Sequence, residues 1–157
     1  MSHLIDVDTD GVRLPLSRQR VIDLACGVLK SERVRDARLS ITFVSTRRIA
    51  ALNKEHLGHQ GPTDVISFAL ASGSGDAPLV GDIYIAPDIA RRNATDNEVS
   101  VREELSRLVI HGALHVVGLD HPEGEGREQS PMWRRQEELL RALTAARGRP
   151  RRTRSAA

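Results

Sequence analysis

The sequence predicts an α+β fold, a small mixed sheet of about four strands packed with about five helices, formed as a single domain by residues 1–146. Three observations predict it. Residues 38–44 (RLSITFV) alternate Leu39, Ile41 and Phe43 against Arg38, Ser40 and Thr42, the period of a half-buried strand. Residues 101–117 place Leu105, Leu108, Val109, Ala113 and Val116 on one helical stripe, broad enough for a central helix. The two kinds of pattern interleave along the chain in the order β-α-β-α-β-β-α-α-α.

The elements follow in turn. A short, partly alternating stretch at residues 3–7 opens the chain as a strand. Ser17 precedes residues 18–32, where Val21, Ile22, Leu24, Ala25, Val28 and Leu29 recur at helical spacing. After the strand at 38–44, Ser45 or Thr46 caps a helix over residues 47–57, in which Ile49, Ala50, Leu52, Asn53 and His56 share a face until Gly58 ends it. Residues 58–63 read as loop. Val65, Ile66 and Phe68 resume strand character, and the Gly/Ser-rich turn ASGSGDAP joins them as a hairpin to LVGDIYIA. Pro87 begins a helix through about Asn93. Ser100 and Glu103 form a capping-box pattern ahead of the central helix, and Gly118 stops it. An acidic, glycine-containing loop leads to a last amphipathic helix, MWRRQEELLRAL, with Trp133 expected as an edge packing residue.

Composition narrows the function classes. No apolar run approaches the roughly 18–20 residues that span a bilayer, so no membrane partner is expected. The N-terminus lacks a basic start followed by an apolar run, and a cytoplasmic location is the expectation. Cys26 is the only cysteine, which excludes an intrachain disulfide and a thiolate metal cluster; within VIDLACGVL it reads as a packed core thiol. The net charge of +2 is uneven. Five arginines fall in residues 147–157 with no acid among them, leaving −3 on the first 146 residues. The basic tail reads as a solvated, disordered extension or as a non-specific phosphate-binding arm, and the body carries no whole-protein signal for nucleic acid.

The chemistry concentrates in HGALHVVGLDH. His111 and His115 are four residues apart and so project from one helix face, Gly118 allows a sharp turn, and His121 can return to the same point. Three imidazoles in this arrangement predict one divalent metal per chain, Zn²⁺, with one tetrahedral position left for water. Zinc would bring the pKa of such a water towards about 7 and supply the nucleophile for a hydrolysis. A closed structural site would need a fourth ligand, for which Asp120 is the nearest candidate; the open site is preferred. The spacing H-x-x-x-H-x-x-G-x-x-H matches the metzincin proteases except that Gly112 replaces the glutamate acting as their general base, which disfavours peptide hydrolysis.

This motif, with LNKEHLGHQGPTDVISF at residues 52–68 and GDIYIA at residues 81–86, resembles the bacterial rRNA maturation RNase family, often called YbeY, over roughly residues 37–143. The resemblance implies a single-strand-specific, metal-dependent endoribonuclease acting in 16S rRNA 3′-end maturation and ribosome quality control, with RNA and the ribosome or its small subunit as partners. It also implies His111, His115 and His121 as zinc ligands. One departure matters: many members of the family carry an arginine where this chain has Leu57. Lys54, His56, His59, Arg47 and Arg48 are the candidates to contact RNA phosphate in its place. Thr63 and Asp64 are expected to brace the following strand, and Asp64 could also accept a hydrogen bond from a ligand imidazole. The alternative reading is a ribosome-assembly binding factor with a mainly structural zinc site and weak cleavage.

Overall fold

Side chains that alternate between buried and open give a sheet with one fully covered face. The structure, a computed structural model, describes residues 1–122 and 124–148. Its strands are β1 (Ser2–Asp10), β2 (Asp36–Val44), β3 (Val65–Ser72) and β4 (Leu79–Ile85); its helices are α1 (Arg18–Ser31), α2 (Thr46–Leu52), α3 (Pro87–Asp96), α4 (Val101–Val117) and α5 (Pro131–Gly148). The sheet order is β1-β2-β4-β3. β1, β2 and β4 run parallel and β3 is antiparallel to β4, so the sheet is mixed, and the β3–β4 hairpin places β3 on the outer edge.

On β2, Ala37, Leu39, Ile41 and Phe43 are buried, while Arg38, Ser40 and Thr42 on the opposite face are more open. The register sets Ile41 between Val7 and Ile83, and Phe43 beside Ile85. This apolar face meets Val21, Leu24, Val28 and Leu29 of α1 and Leu105, Val109, Ala113 and Val116 of α4. Each such side chain fully buried contributes about 1.5–3 kcal/mol, so this layer carries most of the stability. A smaller cluster of Val44, Ile49, Leu52, Ile66 and Ala86, with Phe68 and Tyr84 against it, seats α2.

Serine hydroxyls start four helices: Ser17 accepts from the Arg20 amide at 3.1 Å, Ser45 from Arg48 at 3.1 Å, Ser100 from Glu103 at 3.0 Å, and Ser130 from Trp133 at 3.2 Å. The cap of α2 is therefore Ser45 rather than Thr46. The Glu103 carboxylate turns to Arg107 at 3.4 Å, so its amide, not its side chain, completes the cap.

Three further features differ from the local patterns. The second helix does not run as α-helix to residue 57: after Leu52 it widens into a π-helical turn, Asn53–Leu57, ended by Gly58 at φ 68°. The wider turn buries Asn53, whose Nδ2 donates to the Gly61 carbonyl at 2.9 Å and so ties down the following loop. Cys26 is half-buried rather than in the core, because Leu24, Ala25, Val28 and Leu29 form the inner stripe of α1. α5 continues to Gly148; the remainder of the basic tail, residues 149–157, lies outside the described residues.

α4 lies unusually close to the sheet, and two glycines permit it. A Cβ on Gly81 of β4 would come within 2.3 Å of Val116 Cγ1 and 3.1 Å of the Phe68 carbonyl oxygen. A Cβ on Gly112 of α4 would come within 2.7 Å of Ile83 Cγ2. Gly81→Ala should therefore lower stability by about 1–3 kcal/mol through overpacking. Adding Val116→Ala should return part of that loss by vacating the space the new methyl needs. Chemical denaturation of the two single variants and the double variant measures the coupling, and strict additivity would contradict the contact.

Candidate metal centre and its cleft

Helix α4 carries His111 and His115 one turn apart, and Gly118, at φ 121°, redirects the chain so that His121 returns to them. The three rings stand 4.6–5.0 Å apart between centroids, and one nitrogen from each lies within 4.8 Å of the others. His111 Nε2 and His121 Nε2 face each other at 3.3 Å.

Hydrogen bonds on the far sides of the rings decide which nitrogens face inward. Arg107 donates to both carboxylate oxygens of Glu137, at 3.0–3.3 Å, and to Glu104 at 2.9 Å. The Gln136 Nε2 donates to Glu137 at 3.2 Å, which leaves Gln136 Oε1 to accept from His111 Nδ1 at 2.6 Å. His111 Nδ1 must then carry the hydrogen, and its Nε2 lone pair points to the other imidazoles. His121 Nδ1 donates likewise to the Pro122 carbonyl at 2.9 Å. Two acceptor nitrogens at 3.3 Å with no hydrogen between them repel each other unless a cation joins them. The donor set, neutral imidazoles presenting lone pairs to one point, fits a borderline-soft divalent metal.

Burial disfavours protonation of His111 and His115. His111 is brought down to about 3, first by desolvation, with the charges of His115, Arg127 and His121 adding to the effect and the Gln136 hydrogen bond opposing it. His115 is lowered too, chiefly by burial and then by His121, against the opposing pull of Asp120. Asp120 does not join the ligand cluster: its Oδ1 accepts from the His121 amide at 2.8 Å and holds the loop that presents the ring.

The centre opens on a cleft of about 630 Å³ lined by His111, His115 and His121 with Leu57, His59 and Arg127. Among the described residues, His59 is the one sequence-assigned phosphate candidate that lines it. Lys54 is exposed outside the lining, His56 packs edge-on against Phe68 at 5.4 Å, and Arg47 and Arg48 are on the surface, Arg48 within 3.9 Å of Asp10. Asp64 accepts from Asn93 Nδ2 at 3.1 Å and braces the cleft wall; Gln136 takes the imidazole-accepting role considered for it. Trp133 lines an adjoining cavity of about 650 Å³, shared at its border by Thr63, Asp64, His111 and Arg127. Gln136 and Arg127 carry no motif, although a polar Gln136 on the buried stripe of Met132, Leu139 and Leu140 is a signal in itself.

Three imidazoles from a helix and its following loop, set beside a mixed four-stranded sheet, define an α+β protein with a cluster that could hold a metal ion. The profile described as Endoribonuclease YbeY matches residues 8–144, and the chain belongs to that family. Endoribonuclease YbeY of Bacillus subtilis is 40% identical over 153 residues, covering 90% of this chain and 96% of its own. That of Bacillus licheniformis is 38% identical over 151 residues, covering 89% and 94%. The solution structure of TM1509 from Thermotoga maritima has a TM-score of 0.61 at 25% identity and covers 91% of both chains.

Two outcomes are expected of the centre itself. Gln136→Leu should weaken metal binding by roughly ten- to a hundredfold, because the His111 tautomer is no longer selected, while Gln136→Glu, which keeps an acceptor, should lose less; competition with a chromogenic chelator reads both. The metal-free protein should also lose stability as the pH falls. Between about 6.5 and 3 the unfolded chain binds a proton at His111 that the folded chain excludes, so folding is favoured above this window and progressively disfavoured through it. Around pH 5 the parent should lose on the order of 1 kcal/mol per pH unit more than a metal-free His111→Leu variant. Parallel stability curves would show that His111 protonates freely in the fold.

Proposed function

We propose that this chain is a metal-dependent endoribonuclease specific for single strands, acting in 16S rRNA 3′-end maturation and ribosome quality control in the cytoplasm, with zinc held by His111, His115 and His121. The observation that carries the reading is the convergence of the three imidazoles, with inward lone pairs selected by Gln136 and Pro122, at the floor of an open cleft. Family membership supports RNA as the substrate. No helix among the described residues is long and apolar enough to cross a membrane.

When bound, zinc would supply a Lewis acid and a water acidic enough to attack at neutral pH. The chain's own residues supply the rest. Burial of His111 and His115 keeps them neutral, the Arg107–Glu137–Gln136 chain fixes the His111 ring, and Asp120 fixes the loop of His121. Gly112 bears on the choice of bond. Its α-carbon faces Ile83, away from the cleft lining, so a glutamate there would meet the sheet instead of a substrate. A phosphodiester depends more on charge stabilisation than on that base, and the cleft fits it better than it fits a peptide.

The test is cleavage of matched single-stranded and duplex RNAs, and of small subunits carrying 3′-extended 16S rRNA, by metal-loaded, metal-stripped and His115→Ala protein. Loaded protein should carry about one zinc per chain and cut the single strands and the extended rRNA, with both properties lost in His115→Ala, and casein should remain intact. Binding of small subunits without metal-dependent cleavage would favour the assembly-factor reading. Metal-dependent proteolysis would overturn both.

A further inference from the structure

A cation that faces an open cleft without a carboxylate to neutralise it meets the electrostatic condition for holding an anion. Among the described residues Arg127 meets that condition, since Asp64 and Asp120, which line the same cleft, form no ion pair with it. It borders both the cleft of the three histidines and the adjoining cavity of Trp133 and Gln136. Among the described residues it is the one arginine or lysine lining the cleft, and no ion pair among those residues includes it. Its Nε is buried without a hydrogen-bond partner among them. Arg107 shows the contrast: it lines the adjoining cavity, but Glu103, Glu104 and Glu137 already hold its guanidinium.

The placement of Arg127 is built into the fold. Its amide donates to the Gly124 carbonyl at 3.3 Å, and its own carbonyl accepts from Ser130 Oγ at 2.7 Å and from the Ser130 amide at 3.2 Å. Ser130 also caps the start of α5 through the Trp133 amide at 3.2 Å. The guanidinium lies 5.9 Å from the centroid of the Trp133 ring, which supports one face of it. With its Nε buried and its terminal nitrogens held in no hydrogen bond or ion pair among the described residues, the supported guanidinium is placed to donate to phosphate oxygens.

We infer that Arg127 forms the phosphate-binding site of the cleft, holding a backbone phosphate of the RNA strand beside the three-histidine centre. The inference rests on the endoribonuclease reading for the identity of the ligand. The charge that the family resemblance expects at position 57 is then brought to the same cleft, which Leu57 also lines, from the turn that precedes α5.

The test compares the parent with Arg127→Gln and Arg127→Lys in the full chain. A salt titration of a short single-stranded oligoribonucleotide on metal-free protein should show weaker binding for Arg127→Gln and a log–log salt slope smaller by about 0.7, the value of one phosphate contact on a single strand. Arg127→Lys should keep the slope. Single-turnover cleavage by metal-loaded Arg127→Gln should fall on the order of a hundredfold, with zinc content unchanged, and adding Leu57→Arg should recover part of that loss. If Arg127→Gln cleaves and binds as the parent does, the phosphate site is overturned and the nuclease reading stands. If the parent does not cleave but Arg127→Gln still lowers affinity and slope, the phosphate site stands and the nuclease reading falls. Equal losses in both variants, with lowered melting temperatures, would mark Arg127 as a structural residue and overturn the inference.

Discussion

The approach of α4 to β4 at Gly81 and Gly112 is the constraint on which the rest of the molecule depends. A side chain at either position would hold the helix off the sheet, since the contacts there are already at or below ordinary van der Waals distance for an added carbon. α4 is also the element that α1, α3 and α5 pack against. Its rotation about its own axis is thereby set: the glycine side goes down to Ile83, Leu105, Val109 and Ala113 join the core, and His111 and His115 are left at the cleft. His111 and His115 are positioned by apolar packing on the other side of the same helix.

The polar chain from Arg107 through Glu137 and Gln136 to His111 does a different task. Glu104 is almost fully buried and Arg107 partly so, so what their mutual attraction gains is largely offset by desolvation, and such clusters are weak contributors to net stability. Geometry is what the chain provides. Each link leaves the next group a single orientation, and the last link selects one tautomer of one imidazole. Removing a middle member would leave a buried partner unpaired and would also loosen the orientation of His111.

The parts of the molecule legible in its sequence are the parts that are local. The strand of Leu39, Ile41 and Phe43, the serine caps of α1, α2 and α4 and the cluster of His111, His115 and His121 each lie within a few turns of chain, where periodicity and spacing report them directly. The strand order is not local: nothing in LVGDIYIA says that it pairs with β2 as well as β3. Gln136 is 25 residues from the histidine it orients, and only docking of α5 on α4 brings them together. Arg127 depends on a turn built from Gly124, Gly126 and Ser130 within a stretch that reads as an undistinguished acidic loop. The π-helical turn escaped because Asn53 and His56 keep a helical spacing through it, while the widening serves a hydrogen bond to Gly61 in the next loop.

β3 is an edge strand, and Val65, Ile66, Ser67 and Ala69 line the cleft. Its sequence, VISFALAS, is apolar, uncharged and free of proline, with Leu70 largely exposed. Such a segment is a template for misassembly through sheet extension. The usual remedy, a lysine or glutamate pointing outward, would alter the field beside the three histidines. The pairing with β4 instead slips between Ala69 and Ala71, so β3 carries one extra residue there, and the bend this puts into the strand makes its open edge an irregular template. Resistance to misassembly and an open cleft thus compete for the same strand, and the irregular register leaves that wall of the cleft uncharged while making the edge a poor partner for another copy of itself.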